Sequence, residues 1–289
     1  MRTNEEGTRS AIIFMLLFTA GWFVVEDVFG HAIRNPLNVL QIIWCRYLVH
    51  LFVVILVFRR QRFWHTTRPR YQLARSALML TMPLGFVGAI VTGATAEQAW
   101  AGFWIAPTLM LVFGWLLNRE APGPLTVLLV CISSAAAVVV VGSGPAWAPL
   151  PFTGSFIMAG SFAIYVAMTR SLRSETLAAN LFYTALVPFL ALAPVMPLVW
   201  LTPDLTDGLA IAGIGVVGFV SLFFLDRAAA ARIASTAPIL PVLTVFPTLA
   251  ALASGLGFPA LPTLAGVTVI GAVAFMSLAT SHNQDKLVD

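Results

Sequence analysis

Long apolar stretches, separated by short polar or Gly/Pro-rich segments, fill almost the whole chain. Crossing the hydrocarbon core of a bilayer takes roughly 20 apolar residues, with a range of about 17–25. Division at the polar and Gly/Pro positions predicts ten transmembrane helices, which we call spans 1 to 10. They cover residues 11–29, 38–58, 73–92, 97–117, 124–142, 153–169, 178–200, 208–225, 236–257 and 263–281.

The composition supports a polytopic, all-α membrane protein. Of the 289 residues, 59% are hydrophobic and 10% are charged, whereas an ordinary soluble domain has about 25% charged residues. Too few polar groups remain to cover a soluble globule of this size. The first ten residues run into span 1 with no A-x-A-like cleavage site before Glu26, so we expect a retained span and not a cleaved signal peptide.

The basic residues predict the orientation of the spans. Cytoplasmic loops of membrane proteins carry an excess of Lys and Arg. If the N-terminus is cytoplasmic, fourteen of the sixteen basic residues lie on the cytoplasmic side, whereas Arg34 falls outside and Arg46 lies within span 2. The fourteen are Arg2, Arg9, Arg59, Arg60, Arg62, Arg68, Arg70, Arg75, Arg119, Arg170, Arg173, Arg227, Arg232 and Lys286. Both termini are therefore predicted to be cytoplasmic.

An internal repeat divides the chain into two halves. With a shift of 140 residues, segment 94–109 aligns with segment 234–249, and the Pro-Thr-Leu at 107–109 falls on the Pro-Thr-Leu at 247–249. Because each half has an odd number of spans, the two halves must have opposite orientation in the membrane. We therefore predict one transmembrane domain over residues 1–289, built from inverted repeats at 11–142 and 153–281, as is typical of secondary transporters.

Three segments resemble the drug/metabolite transporter superfamily, specifically its EamA-type ten-span members. Pro107 is followed by Glu120 at the end of span 4, as in the pattern of that family, and the segments AIYVAMTRSLRSETLAANLFYTAL and RAAAARIASTAPILP are similar to its span 6–7 and span 8–9 regions. The second half departs from the pattern, because Ala260 stands where Glu120 would be repeated. The resemblance implies a transporter of small metabolites in a bacterial inner membrane, and it gives Glu120 no substrate role.

Ionisable side chains inside a membrane are costly, so each one is a candidate functional residue. They are Glu26 and Asp27 at the end of span 1, Arg46 and His50 in span 2, and Glu97 at the start of span 4. At about 1.5 Å per residue, all but His50 fall in the outer half of the membrane. We expect this half to be net acidic.

The roles of these residues have alternatives. Arg46 is expected to be a counter-charge to Glu26 or Glu97, or else the binding group for a substrate carboxylate. Glu97 is an interfacial carboxylate or part of a vestibule, where it is a candidate for proton coupling. His50 is either a proton relay or a hydrogen-bonded structural histidine. Glu26 is interfacial or part of the same site.

Aromatic side chains share helix faces with these carboxylates. Trp22 lies one turn before Glu26, and Trp100 and Trp104 follow Glu97 at helical spacing. A Trp face beside a carboxylate suits an organic cation, with a cation–π attraction of about 0.5–2 kcal/mol when desolvated. The alternative is simple packing. Tyr165 belongs to a row of uncharged polar residues at helical spacing in span 6, and we expect this row to line the same cavity.

Prolines within spans predict kinks. Pro107 interrupts span 4, and Pro241 and Pro247 interrupt span 9, at related places in the two halves. Such positions are candidate hinges, because a proline inside a helix removes a backbone hydrogen bond.

The sequence thus predicts a secondary transporter that moves a small cationic or zwitterionic metabolite, such as an amino acid, an amine or an S-adenosylmethionine-like molecule, by alternating access. Its partners are this small molecule and the lipid bilayer, with the proton as a candidate coupling ion and no nucleic acid. The chain has neither a phosphate-binding loop nor a metal-ligand spacing, so we expect no cofactor, no metal and no enzymatic activity. The alternatives are an intramembrane enzyme that acts on a lipid-borne substrate and an exporter of drugs or anionic metabolites.

Overall fold

A computed structural model describes residues 7–33, 35, 37–142, 144, 148–255 and 258–285, the last five by their backbone alone. Within these residues the chain forms helices and turns without any strand, and ten helices are long and apolar enough to cross a membrane. This confirms the predicted all-α class and the ten spans. The spans are Thr8–Phe29, Val39–Phe58, Pro69–Val91, Ala96–Asn118, Pro124–Val141, Pro149–Ser171, Leu177–Val199, Leu205–Ala229, Ile233–Ala253 and Leu261–Thr280. Arg2, Arg34 and Lys286, used above for the orientation, lie outside the described residues.

Local sequence explains where several spans begin and end. Thr95 and Gln98 form a capping box that starts span 4, since each side chain accepts a hydrogen bond from the other residue's backbone N–H. Proline occupies the first position of spans 3, 5 and 6, where its missing N–H costs nothing. Gly142 ends span 5 with a φ of +75°, a conformation that glycine adopts without strain.

Four spans are not uniform α-helices. Span 1 widens into a π-helical turn at Val24–Phe29, and span 4 breaks between Ala96–Phe103 and Ala106–Asn118. Span 7 ends in a 3₁₀ turn, Ala193–Val195, followed by Met196–Val199. Span 9 consists of Ile233–Thr236, the 3₁₀ segment Ala237–Thr244 and Val245–Ala253.

The connections between spans meet at two ends of the bundle. At the end that we call proximal, Thr67 donates to Glu175, which joins connections 59–68 and 172–176, and Arg232 donates to the carbonyl of Ala121. At the distal end, Asn35 donates to Asp204, which joins connections 30–38 and 200–204. Consecutive spans therefore run in opposite directions.

Small residues bring particular spans into close contact. Spans 3 and 6 pack along Gly85 and Gly154, where a Cβ added to Gly154 would lie 2.6 Å from the amide nitrogen of Ala89. Spans 1 and 8 meet in the same manner, because a Cβ on Gly21 would lie 2.2 Å from Ser221 Oγ. The first contact lies near the distal ends of spans 3 and 6, and the second lies in the interior of spans 1 and 8.

Candidate functional site

The main cavity has a volume of about 340 Å³ and lies between spans 1, 2, 3, 4, 6 and 8. Gly30, Ile33 and Val39, at the distal connection between spans 1 and 2, line its mouth, and Met79 and Leu225 line its deep end. Ligand pockets typically have volumes of roughly 300–1,000 Å³. The main cavity therefore suits a molecule of metabolite size.

Glu26 is the acidic group of this cavity. It lies in the π-helical turn of span 1, where its side chain is exposed to the cavities and Glu26 Oε1 accepts a hydrogen bond from Trp22 Nε1 at 3.2 Å. The extra residue of a π-helical turn changes the direction of the side chains that follow it, and such turns are frequent at functional sites. The stripe predicted for Trp22 and Glu26 is thus present, and it faces the cavity.

Arg46 is the basic group of the same cavity. Its Nε is buried without a hydrogen-bond partner, and its guanidinium lies against Gly218 of span 8, where an added Cβ would be 3.0 Å from Nε. The guanidinium also lies 5.8 Å from the centre of the Tyr47 ring. Among the described acids none lies within 4.0 Å of Arg46, so the expected counter-charge role is not met by a direct ion pair.

An aromatic cluster surrounds Glu26. The Trp22 ring centre lies 5.9 Å from that of Trp100 and 5.9 Å from that of Phe103, with both pairs in edge-to-face geometry. Phe162 of span 6 lies 5.5 Å from Trp22 and closes the group. Such pairs stabilise packing by about 0.5–1.5 kcal/mol beyond burial. Packing therefore accounts for part of this cluster, while Trp22 and Trp100 also present surface to the cavity.

A second cavity of about 500 Å³, which we call the distal vestibule, adjoins the main cavity between spans 1, 4, 5 and 9. Glu26 and Trp100 line both cavities. The vestibule also contains the predicted site residues Glu97 and Trp104, the latter with a buried, unpartnered Nε1. Glu97 is exposed in the first turn of span 4.

Two predicted site residues lie away from both cavities. His50 is buried, with Nε2 3.1 Å from the carbonyl oxygen of Leu181 in span 7 and its ring edge-to-face with Phe219. Tyr165 is buried, and its hydroxyl lies 3.0 Å from that of Thr184. The expectation that Tyr165 lines the same cavity is therefore not met, because its ring packs beneath the guanidinium of Arg75 at 5.1 Å.

That guanidinium is the centre of a buried network that the sequence analysis missed. Arg75, counted above with the basic residues of the cytoplasmic side, is fully buried inside span 3. It lies 3.8 Å from the Asp226 carboxylate of span 8. Its hydrogen-bond acceptors are Thr169 Oγ1, Gln72 Oε1, the Asn180 carbonyl and Thr184 Oγ1. Polar pairs spaced by four residues, such as Asn180 and Thr184, were the available sequence signal.

A second buried ion pair lies at the proximal end. Arg170 Nε of span 6 donates to Glu120 Oε1 at 2.8 Å, and Glu120 Oε2 accepts from the Ile233 amide that begins span 9. Glu120 thus ties three spans together, which agrees with giving it no substrate role. Ala260, its counterpart in the second half, is exposed and cannot form such a tie.

The prolines mark interruptions in spans 4 and 9, as predicted. Pro107 is the second residue of the helix Ala106–Asn118, which follows the turn at Trp104 and Ile105. Pro241 lies within the 3₁₀ segment of span 9, and Pro247 lies near the start of the α-helix that follows. Pro188, by contrast, is accommodated within the uninterrupted helix Leu177–Leu192.

Comparison with known proteins supports the fold but identifies no family. No protein-family model matches the chain, and no curated protein matches it by sequence. Among solved structures, 27 chains match. One of them, described as "Crystal structure of protein", has a TM-score of 0.81 and 15% sequence identity, over 95% of this chain and 98% of that chain. At this identity the likeness shows a shared fold.

Proposed function

We propose that this chain is a secondary transporter of the EamA type, which moves a small cationic or zwitterionic organic metabolite across a bacterial inner membrane by alternating access. The observation that carries the proposal is a charged, aromatic cavity that is reached from one end of a ten-span bundle and closed at the other. The positive-inside rule makes the proximal end cytoplasmic, because most of the arginines lie there.

The contacts between spans support an inverted repeat. If spans 1 to 5 correspond to spans 6 to 10, the pairing of spans 1 and 8 corresponds to that of spans 6 and 3, and both pairs are in extensive contact. The pairings of spans 2 and 8 and of spans 7 and 3 correspond in the same way, and both are present. Two halves related in this manner can rock against each other around a site at their interface.

The closure at the proximal end supports alternating access. Leu225 lines the deep end of the main cavity, and the next residue, Asp226, belongs to the Arg75 network. Met79, which also lines the cavity, lies one helical turn after Arg75 on span 3, on the distal side of the network. The buried network thus separates the cavity from the proximal end, and its polar contacts would have to separate when that end opens.

The proposal includes coupling of transport to protons, and the candidate proton-binding groups are the two carboxylates that face these cavities. Glu97 lies in the distal vestibule, and Glu26 lies between the vestibule and the main cavity. His50 is not included, because its hydrogen bond to Leu181 holds it away from both cavities.

The proposal is tested by a thermal-shift screen of the purified protein against metabolites, followed by flux measurements in proteoliposomes for each compound that binds. Stabilisation by organic cations or zwitterions, together with their vectorial movement, is expected. Turnover of a lipid-borne substrate without vectorial movement would instead identify an intramembrane enzyme. Binding of anions alone, such as sugar phosphates, would contradict the proposed substrate class.

A further inference from the structure

The main cavity carries two opposite charges on different helices. Glu26 projects from span 1 and Arg46 from span 2, and both line the cavity wall. The two groups form no ion pair within 4.0 Å. The two groups are thus not paired with each other, and both line the same cavity.

Arg46 differs from the other arginines inside the bundle, because no carboxylate of the described residues lies within ion-pair distance of it. Burial of a charged group is costly unless it is paired and hydrogen-bonded. Arg75 and Arg170 obey this rule, since each faces a carboxylate. Arg46, which is half-buried in the cavity wall, has no carboxylate of the described residues within 4.0 Å. Its Nε is buried without a hydrogen-bond partner, as is that of Arg75, and it lies beside a glycine, Gly218, that leaves room for the guanidinium. A planar guanidinium fits a carboxylate through two parallel hydrogen bonds.

Glu26 offers the complementary half of the site. Its carboxylate is held by Trp22, and the Trp22 and Trp100 rings lie next to it on the wall of the cavity. An ammonium group there gains both the carboxylate and the faces of the rings. The rest of the wall is apolar and includes Met79, Met82 and Phe86.

We propose that the main cavity selects zwitterions, with the substrate carboxylate on Arg46, its ammonium group between Glu26 and the two tryptophans, and its apolar side group against Met79, Met82 and Phe86. This inference rests on the proposed function for the identity of the site and narrows its substrate class. An amine without a carboxylate leaves Arg46 unpaired, and a carboxylate without an amine leaves Glu26 unpaired. Both should therefore bind more weakly than the zwitterion.

The experiment uses the full-length protein in detergent. Binding of each of the protein amino acids is measured by thermal shift and calorimetry. The tightest binder is then compared with its decarboxylated amine and its deaminated acid, for example phenylalanine with phenethylamine and 3-phenylpropionate. We expect each truncated compound to bind at least about tenfold more weakly, as loss of a hydrogen bond to a charged group predicts.

Variants assign the two ends of the ligand. Arg46→Gln should weaken the zwitterion about tenfold or more and leave the affinity for the amine nearly unchanged, whereas Arg46→Lys should restore part of the loss. Glu26→Gln should weaken the zwitterion and the amine alike. Arg173→Gln, which removes an exposed charge at the proximal end, should bind as the unsubstituted protein does and controls for net charge.

The outcomes separate this inference from the proposed function. An amine that binds as tightly as its parent zwitterion, or equal losses of amine and zwitterion affinity in Arg46→Gln, would overturn the carboxylate role of Arg46. If no amino acid binds while another metabolite is transported, the zwitterion inference is wrong and the transporter proposal stands. If no compound is transported by folded protein, the transporter proposal itself fails.

Discussion

The arginines of the bundle interior differ in how their charge is balanced. Arg75 and Arg170 each face a carboxylate from another part of the bundle, whereas Arg46 lines a cavity and has no carboxylate of the described residues within 4.0 Å. Arg75 and Arg170 therefore stabilise the packing of the spans, whereas Arg46 is placed to bind a ligand. The sequence sets Arg46 apart, because it lies within span 2, but it does not show that Arg75 and Arg170 are buried in ion pairs, because their partners lie 50 or more positions away along the chain.

At the residue scale, the tie formed by Glu120 is directly testable. Glu120→Gln keeps an acceptor for the Ile233 amide but leaves the buried Arg170 guanidinium without its charge partner. Removal of one member of a buried pair typically costs about 3–5 kcal/mol. We therefore expect a clearly lower Tm for the solubilised protein.

The matched control for this variant is Glu175→Gln. Glu175 accepts hydrogen bonds from Thr67 in an exposed connection, and glutamine keeps an acceptor there, so the loss should be at most about 1 kcal/mol. Its Tm should change little. Equal Tm values for the two variants would show that the Glu120 tie does not stabilise the fold.

At the scale of the element, proline accounts for some helix interruptions and not for others. The break in span 4 lies just before Pro107, and the 3₁₀ segment of span 9 contains Pro241, so both interruptions could be predicted from the sequence. The π-helical turn of span 1 could not, because VVEDVF contains neither proline nor glycine. Its position depends on how Glu26 and its neighbours meet spans 4 and 8, which only the assembled bundle determines.

The network around Arg75 should control opening at the proximal end. Asp226→Asn removes the charge that faces Arg75 but keeps an acceptor for Asn180, so the closed arrangement loses stability. Labelling of Met79→Cys by an impermeant maleimide in inside-out vesicles measures this opening, in a protein with Cys45 and Cys131 replaced by alanine. We expect the labelling rate to rise about tenfold, equivalent to a shift of about 1.4 kcal/mol.

The control is Asp204→Asn, which alters the N-cap of span 8 at the distal end. It should leave the labelling rate from the proximal side unchanged. A rate in Asp226→Asn no higher than in this control would mean that the network does not hold the proximal end closed.

At the scale of the whole molecule, hydrophobic length was sufficient to predict the ten spans within a few residues. The site was predicted in part. Trp22, Glu26, Arg46, Glu97, Trp100 and Trp104 line the two cavities. Tyr165 and His50 do not, because helix rotation decides which face of a span is turned toward a cavity. Polar residues at helical spacing define one face of a helix. The residues that this face contacts belong to helices distant in the sequence, so the sequence pattern alone does not identify them.

The orientation of the whole bundle is a separate prediction. Connection 59–68, which contains four arginines, and connection 119–123, which begins with Arg119, should be cytoplasmic. With ten spans, a C-terminal fusion to green fluorescent protein should therefore fluoresce, and a C-terminal fusion to alkaline phosphatase should be inactive. The reverse pattern would place the distal cavities on the cytoplasmic side.

Solute counterflow in proteoliposomes tests the central claim most directly, namely that this bundle carries the ligand of its main cavity across a membrane. Vesicles are loaded with an unlabelled compound that binds in the thermal-shift screen, and entry of the labelled compound is followed from a dilute external solution. The account predicts transient accumulation of label above its equilibrium level with the unsubstituted protein and its strong reduction in Arg46→Gln. Entry no faster than into protein-free vesicles, with folded protein present and the compound bound, would contradict it.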